Sequence, residues 1–214
     1  MAWLVGVLTL LAAYLLGSIP TGYIIAKAVQ GIDIREHGSG NTGATNVMRV
    51  VGKKAGIAVL VVDLCKGLLA VLMVQGLLTA SYANLPVWLE TLPWWMTGAG
   101  LLAILGHSRS VWLNWTGGKS AATGLGVLLA LCWPAGLGAA AVFGVTLGLS
   151  RIVSLGSITA ALASVVFMVV FQQPLPYILL AIAGSLYVIL RHRTNIQRLL
   201  EGTEPRLGSR TPTS

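Results

Sequence analysis

Acidic residues are nearly missing from this chain: its 214 residues include six Asp and Glu against fourteen Lys and Arg, and charged residues make up only 9%. Soluble domains carry about 25% charged residues, so this composition cannot clothe a water-facing globular surface. Cysteine is also scarce. Cys65 and Cys132 lie in apolar runs without metal or redox spacing, which excludes a zinc or dithiol centre and leaves them as inert packing residues. No basic stretch precedes the first apolar run, Met1 to Leu16, so it is expected to remain as a first span and not to be cleaved as a signal. A His-x4-Asp catalytic pair is absent: five residues after His37, His107 and His192 stand Thr42, Trp112 and Gln197. Paired carboxylates are missing too. Neither a metal nor an organic cofactor is expected, and a site built here must work without a strong general base of its own.

What is present is apolar: 56% of residues are hydrophobic and the mean hydropathy is +0.83. A bilayer core needs about 20 apolar residues per helix. Candidate spans run from about Ala2 to Ala28, Ala55 to Thr79, Pro93 to Leu105, Ala121 to Leu149, Ile152 to Phe171 and Leu175 to Leu190. The fourth holds Cys132-Trp133-Pro134-Ala135-Gly136, a turn signal near its middle.

Loop charge then orients the chain. Ser81 to Leu92 contains Glu90 and no cation, and Gln172 to Pro176 is uncharged, so both loops are expected outside. Arg35, Arg49, Lys53, Lys54, Arg109, Lys119, Arg151 and the Arg191 to Arg198 segment fall inside. Keeping Lys119 and Arg151 on one face makes the stretch between them a hairpin turning near Pro134. The expected fold class is therefore all-α: a polytopic membrane protein of seven transmembrane segments, N-terminus outside and C-terminus cytoplasmic. Trp3, Trp88, Trp94, Trp95 and Trp133 mark the outer boundary, Trp112 and Trp115 the inner. The net charge of +8 follows from this positive-inside bias, and no nucleic-acid partner is expected.

Polar residues gather in four islands on the inner face: Gly31 to Arg49, Gly106 to Thr123, Ser150 to Ser157 and Arg191 to Arg198. In the first, Gly38-Ser39-Gly40-Asn41-Thr42-Gly43-Ala44-Thr45-Asn46 offers backbone N–H groups that an anion can approach closely. A short helix is expected from Thr45, with Thr45 or Asn46 as its N-cap. Gly38 to Gly43 matches G-x-G-x-x-G formally, but a membrane span precedes it where a dinucleotide fold needs a strand. In the second, Gly117-Gly118-Lys119-Ser120 lacks the first glycine of a P-loop, because Leu113 stands there. It still presents a lysine at a helix start, an arrangement suited to phosphate. Ser154 and Ser157 share a helix face, as do His192 and Asn195. Arg49, Lys119, Arg151, His192 and Asn195 form the set of anion donors. Asp63 and Lys66, also one turn apart but inside the second span, read either as a structural ion pair or as functional charges.

At these motifs the chain resembles the bacterial acyl-phosphate:glycerol-3-phosphate acyltransferase family. The likeness reaches about Gly202. It is carried by Gly17-Ser18-Ile19-Pro20, Asp33-Ile34-Arg35, Gly38-Ser39-Gly40-Asn41 with Gly43-Ala44-Thr45-Asn46, Gly106-His107, Gly117-Gly118-Lys119, Ser154-Leu155 with Ser157-Ile158, and Arg191-His192-Arg193 with Asn195-Ile196. The resemblance implies a multi-pass enzyme of the bacterial inner membrane, its active site on the cytoplasmic face. It implies acyl phosphate and glycerol 3-phosphate as substrates and membrane lipids as surroundings. Ser39, Arg49, Lys119, His192 and Asn195 are then the catalytic set, and Gly38, Gly40, Asn41, Thr45, Asn46, Gly117, Gly118 and Ser154 the substrate-binding set. Two positions depart from the family pattern: Ser120, where glycine is usual, and Gly156, where alanine is. One membrane domain is expected over 1–202, followed by a disordered tail over 203–214. A monomer suffices for such a site. Acyl-length preference, and whether a soluble acyl-phosphate synthase docks on the inner face, stay open.

Overall fold

Lipid offers no partner to a free N–H or C=O, so a chain this apolar must close its backbone hydrogen bonds within each segment, as helices do. The computed structural model describes residues 2–82 and 86–208, among which there are ten α-helices and no named β-strand. They are α1 (Ala2–Ser18), α2 (Thr21–Gln30), α3 (Ala44–Val50), α4 (Lys53–Tyr82), α5 (Pro86–Ser108), α6 (Ala121–Leu131), α7 (Trp133–Ser150), α8 (Val153–Val170), α9 (Leu175–Arg191) and α10 (Arg193–Leu200).

Four segments are long and apolar enough to cross a bilayer: Trp3–Gln30, Lys53–Ser81, Trp133–Ser150 and Val153–Val170. A fifth is added if α9 and α10, bent by 62° at His192, count as one. Their outward faces are aliphatic. Leu4, Leu8 and Leu11 on α1, Leu137 and Val145 on α7, Leu162 and Val166 on α8, and Leu186 on α9 are all exposed. In water each such side chain would forgo on the order of 2 kcal/mol of burial; against lipid tails it forgoes none. The interior holds the reverse set, including Asp63, Lys66, His107, Thr123, Ser154, His192 and Asn195.

Without a hydrophobic force between helices in lipid, close packing of small residues must hold them together. α1 packs on α5 through Ala13, Ala99 and Ala103. α4 packs on α6, where a side chain on Gly67 would strike the Thr123 carbonyl and one on Gly126 that of Leu64. α7 lies on α8, and α8 on α9.

The first span stands as one apolar run, Trp3–Gln30, interrupted where α1 ends at Ser18 and α2 begins at Thr21, because Pro20 has no N–H to continue the ladder. Other expectations are corrected. The third segment is no short insertion from Pro93. α5 begins at Pro86 and passes through Pro93, so most of the outer loop expected over Ser81 to Leu92 is helix. The rest of that loop, 83–85, lies outside the described residues, as does the side chain of Trp88. The hairpin turns within the expected Cys132–Gly136 signal, at Cys132, and Pro134 sits in the first turn of α7, where its missing N–H costs nothing. Lys66 does not stand as a lone charge but is buried on α4 and paired with Asp63. Nor is the chain loose past 202. The Leu207 N–H donates to the Arg151 carbonyl (2.7 Å), and Glu204 is buried among site residues; 209–214 lie outside the described residues.

Candidate active site

The first polar loop is organised by one side chain. Asn46, 2% exposed, donates from Nδ2 to the carbonyls of His37 and Asn41 (both 2.9 Å) and accepts the Ser39 N–H on Oδ1 (2.9 Å). It is therefore the hub of the loop and not the N-cap of α3; Gly43 occupies that position without a side-chain bond. Gly38 and Gly40 take positive φ of 61° and 67°, which lets the chain fold back on this amide. The Asn41 carboxamide accepts the Gly43 N–H at 2.8 Å. This corrects the expected supply of free N–H groups, since those of Ser39 and Gly40 are both spent inside the loop. Outward from it stand the exposed side chains of Ser39 and Arg49. Asn46→Ala should remove at least three bonds worth about 1 kcal/mol each. A marked fall in the thermal midpoint of the purified protein in micelles is the expected outcome.

Before this loop, Asp33-Ile34-Arg35 closes on itself. Arg35 Nη2 lies 2.6 Å from Asp33 Oδ2 and the Arg35 N–H donates to Oδ1 (3.0 Å), while the guanidinium covers the Tyr23 ring at 5.4 Å. The Arg35 bond holds the Asp33 carboxyl down at about 2. A pocket of about 330 Å³ separates this segment from the second island, lined by Asp33, Arg35, Glu36, Gly40, Thr42, Thr116 and Gly117. The first two islands are thus walls of one polar cleft.

In the second island, Lys119 projects from the turn ahead of α6. Arg191 clamps that turn, its Nη2 donating to the carbonyls of Gly118 (3.0 Å) and Gly117 (3.3 Å). Ser120 follows at φ 63°, a left-handed position that glycine adopts without strain. Its hydroxyl donates to the Ile104 carbonyl at 2.8 Å. Ser120→Gly trades that bond, about 1 kcal/mol, for relief of strain of about the same size. The thermal midpoint should stay within a few degrees of the parent.

The turn meets the third and fourth islands at Asn195, whose Oδ1 accepts from Lys119 Nζ. Its Nδ2 donates to Glu204 Oε1 (2.5 Å), which also accepts from Ser154 Oγ (2.7 Å); Glu204 Oε2 pairs with Arg198 Nε (2.7 Å). Burial works against this carboxylate, but the bonds from Asn195, Ser154 and Arg198 outweigh it and hold its pKa below the ordinary value. The bend between α9 and α10 exists at His192, whose Nδ1 lies 2.7 Å from the Val188 carbonyl. A carbonyl only accepts, so Nδ1 carries the proton and Nε2 keeps its lone pair. Burial lowers the His192 pKa to about 4; the Val188 bond opposes this and the Lys119 charge adds to it. Burial also lowers Lys119, to about 8, opposed by Glu204 and reinforced by Arg198, Arg191 and Arg49.

The structure therefore joins Lys119, Asn195 and Ser154 by direct bonds or through one carboxylate, and brings His192 and Arg49 within electrostatic reach of Lys119. Ser39, Gly38, Gly40, Asn41 and Thr45 belong to the neighbouring loop across the cleft. Ser157 is not in the cluster, because its hydroxyl donates back to Val153 within α8 (3.0 Å). Arg151 ends α7 at φ 59°, is exposed, and contributes its carbonyl to the tail instead of a charge to the anion set. Three residues escaped the sequence reading: Glu204, Arg191 and Arg198. Arg191 and Arg198 were hidden in a generic basic flank. The signal for Glu204 was its rarity, one of six acids, placed beside a basic run.

A family model described as glycerol-3-phosphate acyltransferase matches residues 7–202. The glycerol-3-phosphate acyltransferase of Trichormus variabilis is 55% identical over 209 residues, covering 94% of this chain and 91% of the relative. Glycerol-3-phosphate acyltransferase 2 of Rhizobium johnstonii is 56% identical, covering 96% and 97%. Among solved structures, that of PlsY, an integral membrane glycerol 3-phosphate acyltransferase, in its glycerol 3-phosphate form, superposes with a TM-score of 0.84 at 39% identity, covering 95% of this chain and 96% of that one.

Proposed function

The chain belongs to the glycerol-3-phosphate acyltransferase family, and from that premise we propose that its acyl donor is an acyl phosphate and its products are lysophosphatidic acid and inorganic phosphate. The 1-hydroxyl oxygen of sn-glycerol 3-phosphate attacks the acyl carbonyl carbon, the bond from that carbon to the bridging oxygen breaks, and phosphate leaves with the electron pair. The observation that carries this reading is the Lys119 cluster, where the ammonium meets the Asn195 amide with Arg198, Arg191 and Arg49 within electrostatic reach. A mixed anhydride is already activated, so positioning and charge stabilisation supply most of the rate.

In this reading Lys119 and Arg49 hold the donor's phosphate oxygens, while Ser39, Ser154, Asn195 and His192 orient glycerol 3-phosphate. His192, neutral with Nε2 unprotonated, accepts a hydrogen bond from glycerol 3-phosphate and so orients it. Its pKa near 4 makes it a poor base, so the hydroxyl proton passes to the departing phosphate. The chain crosses the inner membrane seven times, N-terminus outside, with this cluster facing the cytoplasm.

The test is to incubate the purified protein with palmitoyl phosphate and labelled glycerol 3-phosphate, and separately with palmitoyl-CoA. Labelled lysophosphatidic acid from the first alone is expected; product from palmitoyl-CoA alone would overturn the donor assignment. The pH profile follows from the same groups. Lys119 is charged below about 8, so kcat/KM should hold up to that pH and fall above it. No acid limb should come from His192, which is already neutral above about 5 given its pKa near 4. A limb near 6 belongs to the substrate's own phosphate, and His192→Asn should leave its position unchanged.

A further inference from the structure

Asp63 and Lys66, one turn apart in α4, form an ion pair at 2.8 Å with both side chains 3% exposed. Lys66 also donates to the Ile19 carbonyl (3.0 Å) at the break between α1 and α2. From the end of α5, His107 brings Nδ1 to 3.6 Å from the same Asp63 oxygen. The space they share with Pro20, Thr42 and Gly117 leaves no room for water. The chemistry proposed above uses none of these three groups.

Each end of this cluster reaches one wall of the cleft. On the His107 side, the Gly118 N–H donates to the His107 carbonyl (3.1 Å), and a methyl group on Gly118 would overlap the imidazole. The turn that presents Lys119 therefore rests on His107. On the Lys66 side, the Ile19 carbonyl marks the point where the chain enters α2. Three residues later, Gly22 packs so closely on the Thr42 carbonyl that no side chain would fit. Thr42 continues the loop bearing Ser39 and Arg49. Asp63 is the group that faces both sides.

Apolar side chains of similar volume would pack α4 against α5 at least as well as buried ions do, so packing alone does not account for the cluster. Charges fix direction and distance where apolar contacts slide. We propose that Asp63, Lys66 and His107 are positioning residues that set the Lys119 turn at a fixed distance from the Ser39–Arg49 loop. The inference rests on the acyl-transfer reading, because that reading needs both walls to act on one pair of substrates.

The test uses the purified full chain and the double variant Asp63→Asn/Lys66→Met, which removes both charges together and leaves no unpaired ion. Expected is a kcat about tenfold or more below the parent, with KM for glycerol 3-phosphate within about threefold and an unchanged thermal midpoint, since each loop keeps its own contacts while their mutual alignment is lost. Where the double variant does not accumulate, His107→Gln is read in the same way with the ion pair intact. Parental kcat in a folded variant, or a loss of activity that only tracks loss of folded protein, overturns the proposal. The parent's own turnover of palmitoyl phosphate is measured first, so failure of the acyl-transfer reading appears separately, as an inactive parent.

Discussion

Lys119→Ala should lower kcat/KM by about a thousandfold or more while leaving the protein folded. The ammonium is bonded directly to Asn195 in the Asn195–Glu204–Ser154 network, and it is partly removed from water. A charge that meets developing negative charge in such a site is worth about 3–4 kcal/mol, or two to three factors of ten. Loss of ground-state grip on the phosphate adds to this. Folding should survive because the turn is held by its backbone: Arg191 binds the Gly117 and Gly118 carbonyls, and the Gly118 N–H is held by His107. Lys119→Arg should recover only part of the loss, since a planar fork cannot take the place of a compact ammonium against one amide oxygen. Steady-state kinetics with both substrates varied, alongside a thermal midpoint, checks both expectations. An active Lys119→Ala protein would remove the lysine from the chemistry.

The second large effect concerns Glu204. Glu204→Ala should release Ser154, Asn195 and Arg198 together, and so damage stability and activity at once. The Arg198 side chain is 38% exposed, so that pair is screened and worth about 1 kcal/mol or less. The larger loss is the two hydrogen bonds that the carboxylate accepts from Asn195 and Ser154, about 1.5–3 kcal/mol each. The orphaned Asn195 amide is then free to turn away from Lys119. Glu204→Gln keeps the shape and one acceptor oxygen, but sets an amide N–H against the Arg198 N–H. A smaller fall in thermal midpoint and roughly a tenfold or greater loss of kcat are expected, on the scale of a charge-assisted bond. The pH dependence has a fixed sign. The folded pKa of Glu204 lies below its unfolded value, so its contribution to stability is complete above the ordinary carboxylate range and is lost as pH falls through the lowered value. Thermal midpoints measured from pH 7 to pH 4 should fall more steeply for the parent than for Glu204→Gln. Equal slopes would separate the tail from the site.

Much of this architecture was legible because membrane sequences obey few and strict rules. Polar residues are costly in lipid, so Lys119, His192 and Asn195 stood out against their apolar flanks and pointed to one site. What escaped were contacts that no local pattern encodes. Glu204 follows the last apolar run and reads as a solvated tail until α10 folds back by 62° and aims it at Ser154, fifty residues earlier. Asn46 has the composition of a cap, yet its carbonyl partners come from His37 and Asn41, reached only once Gly38 and Gly40 turn the chain. Pro93 looked like a helix start because proline is common there; in α5 it is interior, a position tolerated in spans where neighbouring helices support the kinked backbone. Nothing in the sequence marks Ser120 as left-handed, whereas the turn that presents Lys119 holds it at φ 63°.

The claim on which the account turns is that cations from separate loops grip one donor phosphate. Inhibition by inorganic phosphate, measured for the parent, Arg49→Ala, Lys119→Ala and the double variant, tests it most directly. If both side chains hold the same anion, the double variant should lose no more than about tenfold beyond the weaker-binding single variant, the non-additivity expected of groups sharing a partner. Losses that multiply in full would place Arg49 and Lys119 on separate anions and contradict the shared site.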